Sequence, residues 1–103
     1  MNRKFKIQHI WFNNEDANVT LSGQILEDVL YFDTKLVIKM SRLNSVINLW
    51  QKETGLEASE YLCRYEFGFL TEYQMSFPEE AQVWLDFEEL IGDQKDFLKK
   101  IVA

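Results

Sequence analysis

The side chains here best suited to chemistry are three carboxylates, Glu72, Asp86 and Glu88, with the indole of Trp84 among them. A three-residue loop at Pro78-Glu79-Glu80 would fold 71–87 into a hairpin with Phe77 opposite Ala81, Met75 opposite Val83, Tyr73 opposite Leu85 and Thr71 opposite Phe87. Opposed residues of an antiparallel pair share a face. The same register sets Glu72 opposite Asp86, Gln74 opposite Trp84, and Glu88 diagonally near Glu72. Two carboxylates held side by side can pass a proton as acid and base, hold a cation, or receive a Lys or Arg from a partner. Against this stands the plain alternative of solvated side chains that swing apart. Trp84 breaks the polar parity of its strand, so it either packs under a helix or marks a contact surface.

A second constellation is aromatic. Tyr61, Tyr65, Phe67, Phe69 and Tyr73 share the odd parity. If the sheet curls, Tyr65, Phe69 and Tyr73 would line an apolar wall with polar handles, as a small-ligand site requires; otherwise they are core. His9 is the single histidine and falls on the apolar parity with Phe5, Ile7 and Trp11, which favours a satisfied, partly buried imidazole. One histidine cannot build a His-based metal cluster, and no nucleophile is placed to complete a triad. Cys63 also falls on the apolar parity and reads as a buried structural thiol. Asn14, Asp16, Asn18 and Thr20 have the alternate spacing of a calcium loop, but Val19 stands where glycine is needed and Ile25 where a bidentate Glu is needed, so the segment reads as a turn. No catalytic residue, metal site or cofactor is assigned.

Strands must position all of these. From Tyr61 to Phe87 the odd positions are aromatic or apolar apart from Thr71 and Glu79, a period of two. Residues 61–77 alone exceed an ordinary strand, and Gly68 marks a bulge or bend within them. Residues 81–91 stay open between two readings. The hairpin above is one. The other is a helix, because Ser76-Phe77-Pro78-Glu79 resembles a capping box and Val83, Trp84, Phe87, Leu90 and Ile91 fit one helical face. Upstream, residues 3–12 read as a strand, 13–18 as a turn cluster, and Val19, Leu21 and Ile25 mark a second strand. Leu30, Phe32, Leu36, Ile38 and Met40 share a phase, giving one long strand or a tight hairpin at Asp33-Thr34-Lys35.

The period changes at Ser41. Leu43, Val46, Ile47 and Trp50 recur at helical spacing, with Ser41 suited to cap the start and Gly55 the end, which predicts a helix over 42–54. After Gly92 the order acidic then basic, with Phe97, Leu98 and Ile101 on one side, predicts a short C-terminal helix. The fold class is therefore α+β: a mainly antiparallel sheet of five or six strands, one helix packed on a face, and a short C-terminal helix.

At 103 residues and 47% hydrophobic content the chain forms one domain, 1–103, with enough apolar surface for a core. The single cysteine excludes an internal disulfide framework. No apolar run is long enough to span a bilayer, so a cytoplasmic, membrane-free protein is expected. The net charge of −6 is unevenly laid out: residues 53–94 hold eleven acids against Arg64 alone. An acidic chain is repelled by phosphate backbones, so nucleic acid is not expected, whereas a basic protein partner is. The reading that follows is a small non-enzymatic interaction domain, of the inhibitor, immunity or adaptor kind, meeting its partner through Glu72, Trp84, Asp86 and Glu88. The alternatives are a ligand binder using Tyr65, Phe69 and Tyr73, and an enzyme using the paired carboxylates.

Overall fold

The computed structural model describes residues 3–92 and the backbone of Phe97–Leu98. Its first half is a three-stranded meander: β1 (Arg3–Asn13), β2 (Asn18–Glu27) and β3 (Leu30–Lys39), each antiparallel to the next. The β1–β2 turn is built by Asn13, whose Oδ1 accepts from the Glu15 N–H at 2.8 Å, as the turn cluster predicts. The β2–β3 link is Asp28-Val29, and Asp28 has φ 57°, a left-handed conformation that Asp tolerates in two-residue hairpins. β3 is one strand, with no hairpin at Asp33–Lys35.

The helix α1 (Leu43–Thr54) follows, entered through a single 3₁₀ turn at Met40–Arg42. Ser41 lies in that turn and Arg42, with no side-chain cap, takes the cap position instead. The C-terminal end is as predicted: Gly55 has φ 72° and its N–H reaches the Gln51 carbonyl. Leu43, Val46 and Trp50 enter the core beside Phe5, Ile7, Leu21 and Ile38, so α1 covers one face of the sheet.

The second half departs from the expected hairpin. β4 (Leu62–Phe67) and β5 (Leu70–Ser76) form a hairpin closed by Gly68-Phe69, with Gly68 at φ 63°. Gly68 is thus the turn, because a two-residue loop needs a positive φ that glycine supplies without steric cost. β5 pairs next with β1, and the chain then leaves the sheet. Phe77 and Ala81 are buried, the Trp50 indole donates to the Ala81 carbonyl at 2.9 Å, and Trp50 stacks on Phe77 with ring centroids 4.6 Å apart. This docking under α1 takes the chain out of the sheet after Phe77, whose N–H still donates to the Gln8 carbonyl of β1 at 3.0 Å. The chain re-enters as β6 (Trp84–Asp86), which pairs with β1. The 71–87 hairpin is therefore corrected: β5 and β6 do not pair, but lie one after the other along the flank of β1 that β2 leaves free.

The helical alternative for 81–91 is met over its second part. α2 (Phe87–Ile91) is capped by Asp86, whose side chain accepts from the Glu89 N–H. Its last carbonyls, of Glu89 and Leu90, accept from the Arg42 guanidinium at 3.0 and 3.2 Å. A short helix toward the C-terminus is thus present, but before Gly92; the helix expected after Gly92 falls on residues mostly outside the described ones. Phe97–Leu98 form a strand, β7, paired with β3. The sheet order is β4-β5-β1-β2-β3-β7 with β6 also on β1, an antiparallel α+β fold.

One irregularity decides which residues face where. Between Ile7 and His9 the β1–β2 register slips, so Gln8 is an extra residue in β1. The bulge flips the parity of the strand. Phe5 and Ile7 face the core, and beyond the bulge it is Ile10. Gly23 sits opposite this point, and any Cβ there would overlap the Lys6 carbonyl, so only glycine lets the two backbones approach.

Candidate functional site

Among the described residues, the helices cover one face of the sheet and leave the other uncovered. Residues that alternate with the core positions point away from α1 and α2, and none of them is buried among the described residues. Cross-strand pairing arranges them in rows. One row runs Val37, Thr20, Trp11, Gln74, Cys63 from β3 to β4; a neighbouring row runs Lys35, Ser22, His9, Ser76. Trp11 is 46% exposed, Tyr65 45% and Phe67 59%, all on the same face at the β4–β5–β1 side. Trp84 is half-buried on that face toward the other end of β1, with the Lys6 ammonium 4.5 Å from its ring centroid. The surface thus combines rigid aromatic area with hydroxyl and amide groups, the residue chemistry of protein contact surfaces.

The carboxylates are not brought together. Glu72 lies opposite Asn13 and Tyr65, whereas Asp86 lies opposite Lys4. Nine positions of β1 separate those partners, which is roughly 25–30 Å of strand. Each acid has its own local partner: Glu72 accepts from the Gln74 amide, Asp86 caps α2, and Glu88 pairs with Arg3 at 3.0 Å. Trp84 shares the sheet face of Glu72 and Asp86; it packs with Lys6 and not beneath a helix.

The tyrosine wall is likewise divided. The two-residue turn makes odd residues of β4 oppose even residues of β5, so Tyr65 faces with Glu72 while Tyr73 faces the other way. Tyr73 stacks on Phe12 with centroids 5.1 Å apart. Phe69, 89% exposed, is at the hairpin tip. Cys63 is exposed, which corrects the expected buried thiol; β4 is an edge strand with no buried residue. His9 is partly buried and satisfied, its Nδ1 2.8 Å from the Ser76 hydroxyl, but the bulge turns it and Trp11 to the uncovered face. Strict alternation through Gln8 hid this. Gly23, on the apolar parity of the adjacent strand, was the available signal, since glycine inside a strand marks a bulge or close backbone approach.

Charge divides with the faces. The uncovered face has Lys4, Lys6, Lys35 and Lys39 against Asp33, Glu72 and Asp86. Asp33 is bonded by the Gln24 amide at 3.2 Å, so all three acids on this face have a local donor. The acidic run lies largely elsewhere, at Glu53 in the last turn of α1, at Glu57 and Glu60 after it, and at Glu79, Glu80 and Glu89 before and within α2. A depression of about 210 Å³ opens between Gln8, Ser22, Gly23, Asp33, Thr34 and Lys35. Among the described residues no three His, Cys, Asp or Glu side chains gather as metal ligands, and no helix is long and apolar enough to cross a membrane.

No family model, curated protein or solved structure matches the chain.

Proposed function

We propose that this chain is a non-enzymatic interaction domain that binds a protein partner through the helix-free face of its sheet. The observation that carries the reading is the half-exposed indole of Trp11, with Tyr65 and Phe67 on the same face two strands away in β4, on a face where no described residue is buried. Trp and Tyr dominate the energetics of protein interfaces because they bury large area at low entropic cost. The partner would offer an apolar patch rimmed by carboxylates. Lysines edge this face, and its own acids already accept hydrogen bonds within the chain. A basic partner, the expectation drawn from the acidic run, would have to meet the loops after α1 and around α2 instead.

The ligand reading loses its wall, because Tyr65 and Tyr73 face opposite ways. The enzyme reading loses its motive, because Glu72 and Asp86 are far apart.

The test is affinity capture from the source cell with three immobilised forms: wild type, Trp11→Ala/Tyr65→Ala, and Asn48→Ala on the outer side of α1. A protein that binds wild type and Asn48→Ala, and is lost with the double variant, supports the reading. Retention of every captured protein by a folded double variant would overturn it.

A further inference from the structure

We infer that the free edge of β4 pairs with β4 of a second copy, joining two sheets about a two-fold axis at Tyr65. This is carried by the edge itself and does not depend on the partner proposed above. β4 is the last strand on its side of the sheet, all six residues are exposed, and its ladder with β5 is regular from Leu62↔Met75 to Phe67↔Leu70. Proteins usually blunt such an edge with Lys, Pro or a bulge. Here the strand reads Leu-Cys-Arg-Tyr-Glu-Phe, with no Lys, Pro or bulge, and its two charges, Arg64 and Glu66, are of opposite sign and paired with each other.

Hydrogen-bond direction limits the possible registers. The Thr71 N–H and C=O both go to Asn14, on the β1 side. Backbone groups alternate in direction along a strand, so those of Leu70, Glu72 and Gln74 face β4 and meet Phe67, Tyr65 and Cys63. The groups of Leu62, Arg64 and Glu66 therefore point outward. A second antiparallel β4 can exchange bonds only by setting even residues against even residues.

Overlap and charge select among those registers: centring the axis on Cys63 or Phe67 pairs at most three residues of each β4. Centring the axis on Arg64 opposes two arginines, and centring it on Glu66 opposes two glutamates; like charges directly opposed are destabilising. Centring it on Tyr65 sets Arg64 opposite the second copy's Glu66, and by symmetry the reverse. Within one chain Arg64 and Glu66 already pair at 2.7 Å, so association turns that pair into an alternating square of four charges. On the other face Tyr65 meets its own copy and Cys63 meets Phe67. The surface is self-complementary, as a two-fold interface must be.

Sedimentation velocity over a concentration series tests this with charge reversal. Wild type should pass from monomer to dimer. Arg64→Glu and Glu66→Arg alone should each lose the dimer, and the double swap should regain it. Circular dichroism confirms that each variant is folded. In a Cys63→Ser background, Tyr65→Cys should give a disulfide-linked dimer under mild oxidation, because a non-hydrogen-bonded pair brings Cα atoms to about 4.5 Å, within disulfide reach. Arg64→Cys in the same background should not. A wild type that stays monomeric throughout, or single reversals that dimerise like wild type, would overturn the inference.

Discussion

Two of the three tryptophans divide the molecule's tasks. Trp50 is 2% exposed and holds the 77–83 segment through its bond to Ala81 and its stacking on Phe77. Trp11 is 46% exposed and lies on the uncovered face. Truncation should separate them. Trp50→Ala is expected to cost about 3–5 kcal/mol in denaturant unfolding, the range for removing a large aromatic from a core. Trp11→Ala should stay within about 0.5 kcal/mol of wild type, as a surface position does. If the two variants lose similar stability, Trp11 belongs to the core and the uncovered face is not a free surface.

At the scale of elements, the flanks of β1 explain both what the sequence revealed and what it concealed. The meander, α1 and the Gly55 stop follow from local patterns: alternation, helical spacing and a glycine at a left-handed position. The order of β4, β5 and β6 does not. Gly68-Phe69 and Pro78-Glu79-Glu80 both qualify as turns by composition, and alternation runs through both. What separates them is tertiary: Trp50 captures Ala81 and Phe77, which costs the second turn its hairpin. The same holds at Gln8, where a bulge reverses parity and sends His9 and Trp11 outward. Alternation therefore places the aromatic and acidic residues on the wrong faces wherever it is carried across Gln8 or Gly68, because parity reverses at both. Engineered disulfides can check the resulting topology. In a Cys63→Ser background, Lys4→Cys/Asp86→Cys should cross-link on mild oxidation, since these residues are opposed in the β1–β6 ladder and paired Cα atoms lie about 4.5–5.5 Å apart. Glu72→Cys/Asp86→Cys should not. The reverse pattern would restore the 71–87 hairpin.

The whole molecule is an elongated sheet, 45 × 29 × 23 Å, with helices and most acidic loops on one side and an aromatic, lysine-edged surface on the other. Pairing through β4 would extend that surface across two copies, because a two-fold axis normal to the sheet keeps like faces together. Binding by this face is the central claim, and site-specific photo-cross-linking in the source cell tests it most directly. A photoreactive residue at Thr20, beside Trp11 at the middle of the uncovered face, is compared with one at Asn48 on the exposed side of α1. The account expects Thr20 to capture a distinct protein, in a band that weakens when Trp11→Ala is added, and Asn48 to leave that protein uncaptured. Capture of the same protein from Asn48 alone, or no product from Thr20 beyond that of Asn48, would contradict it.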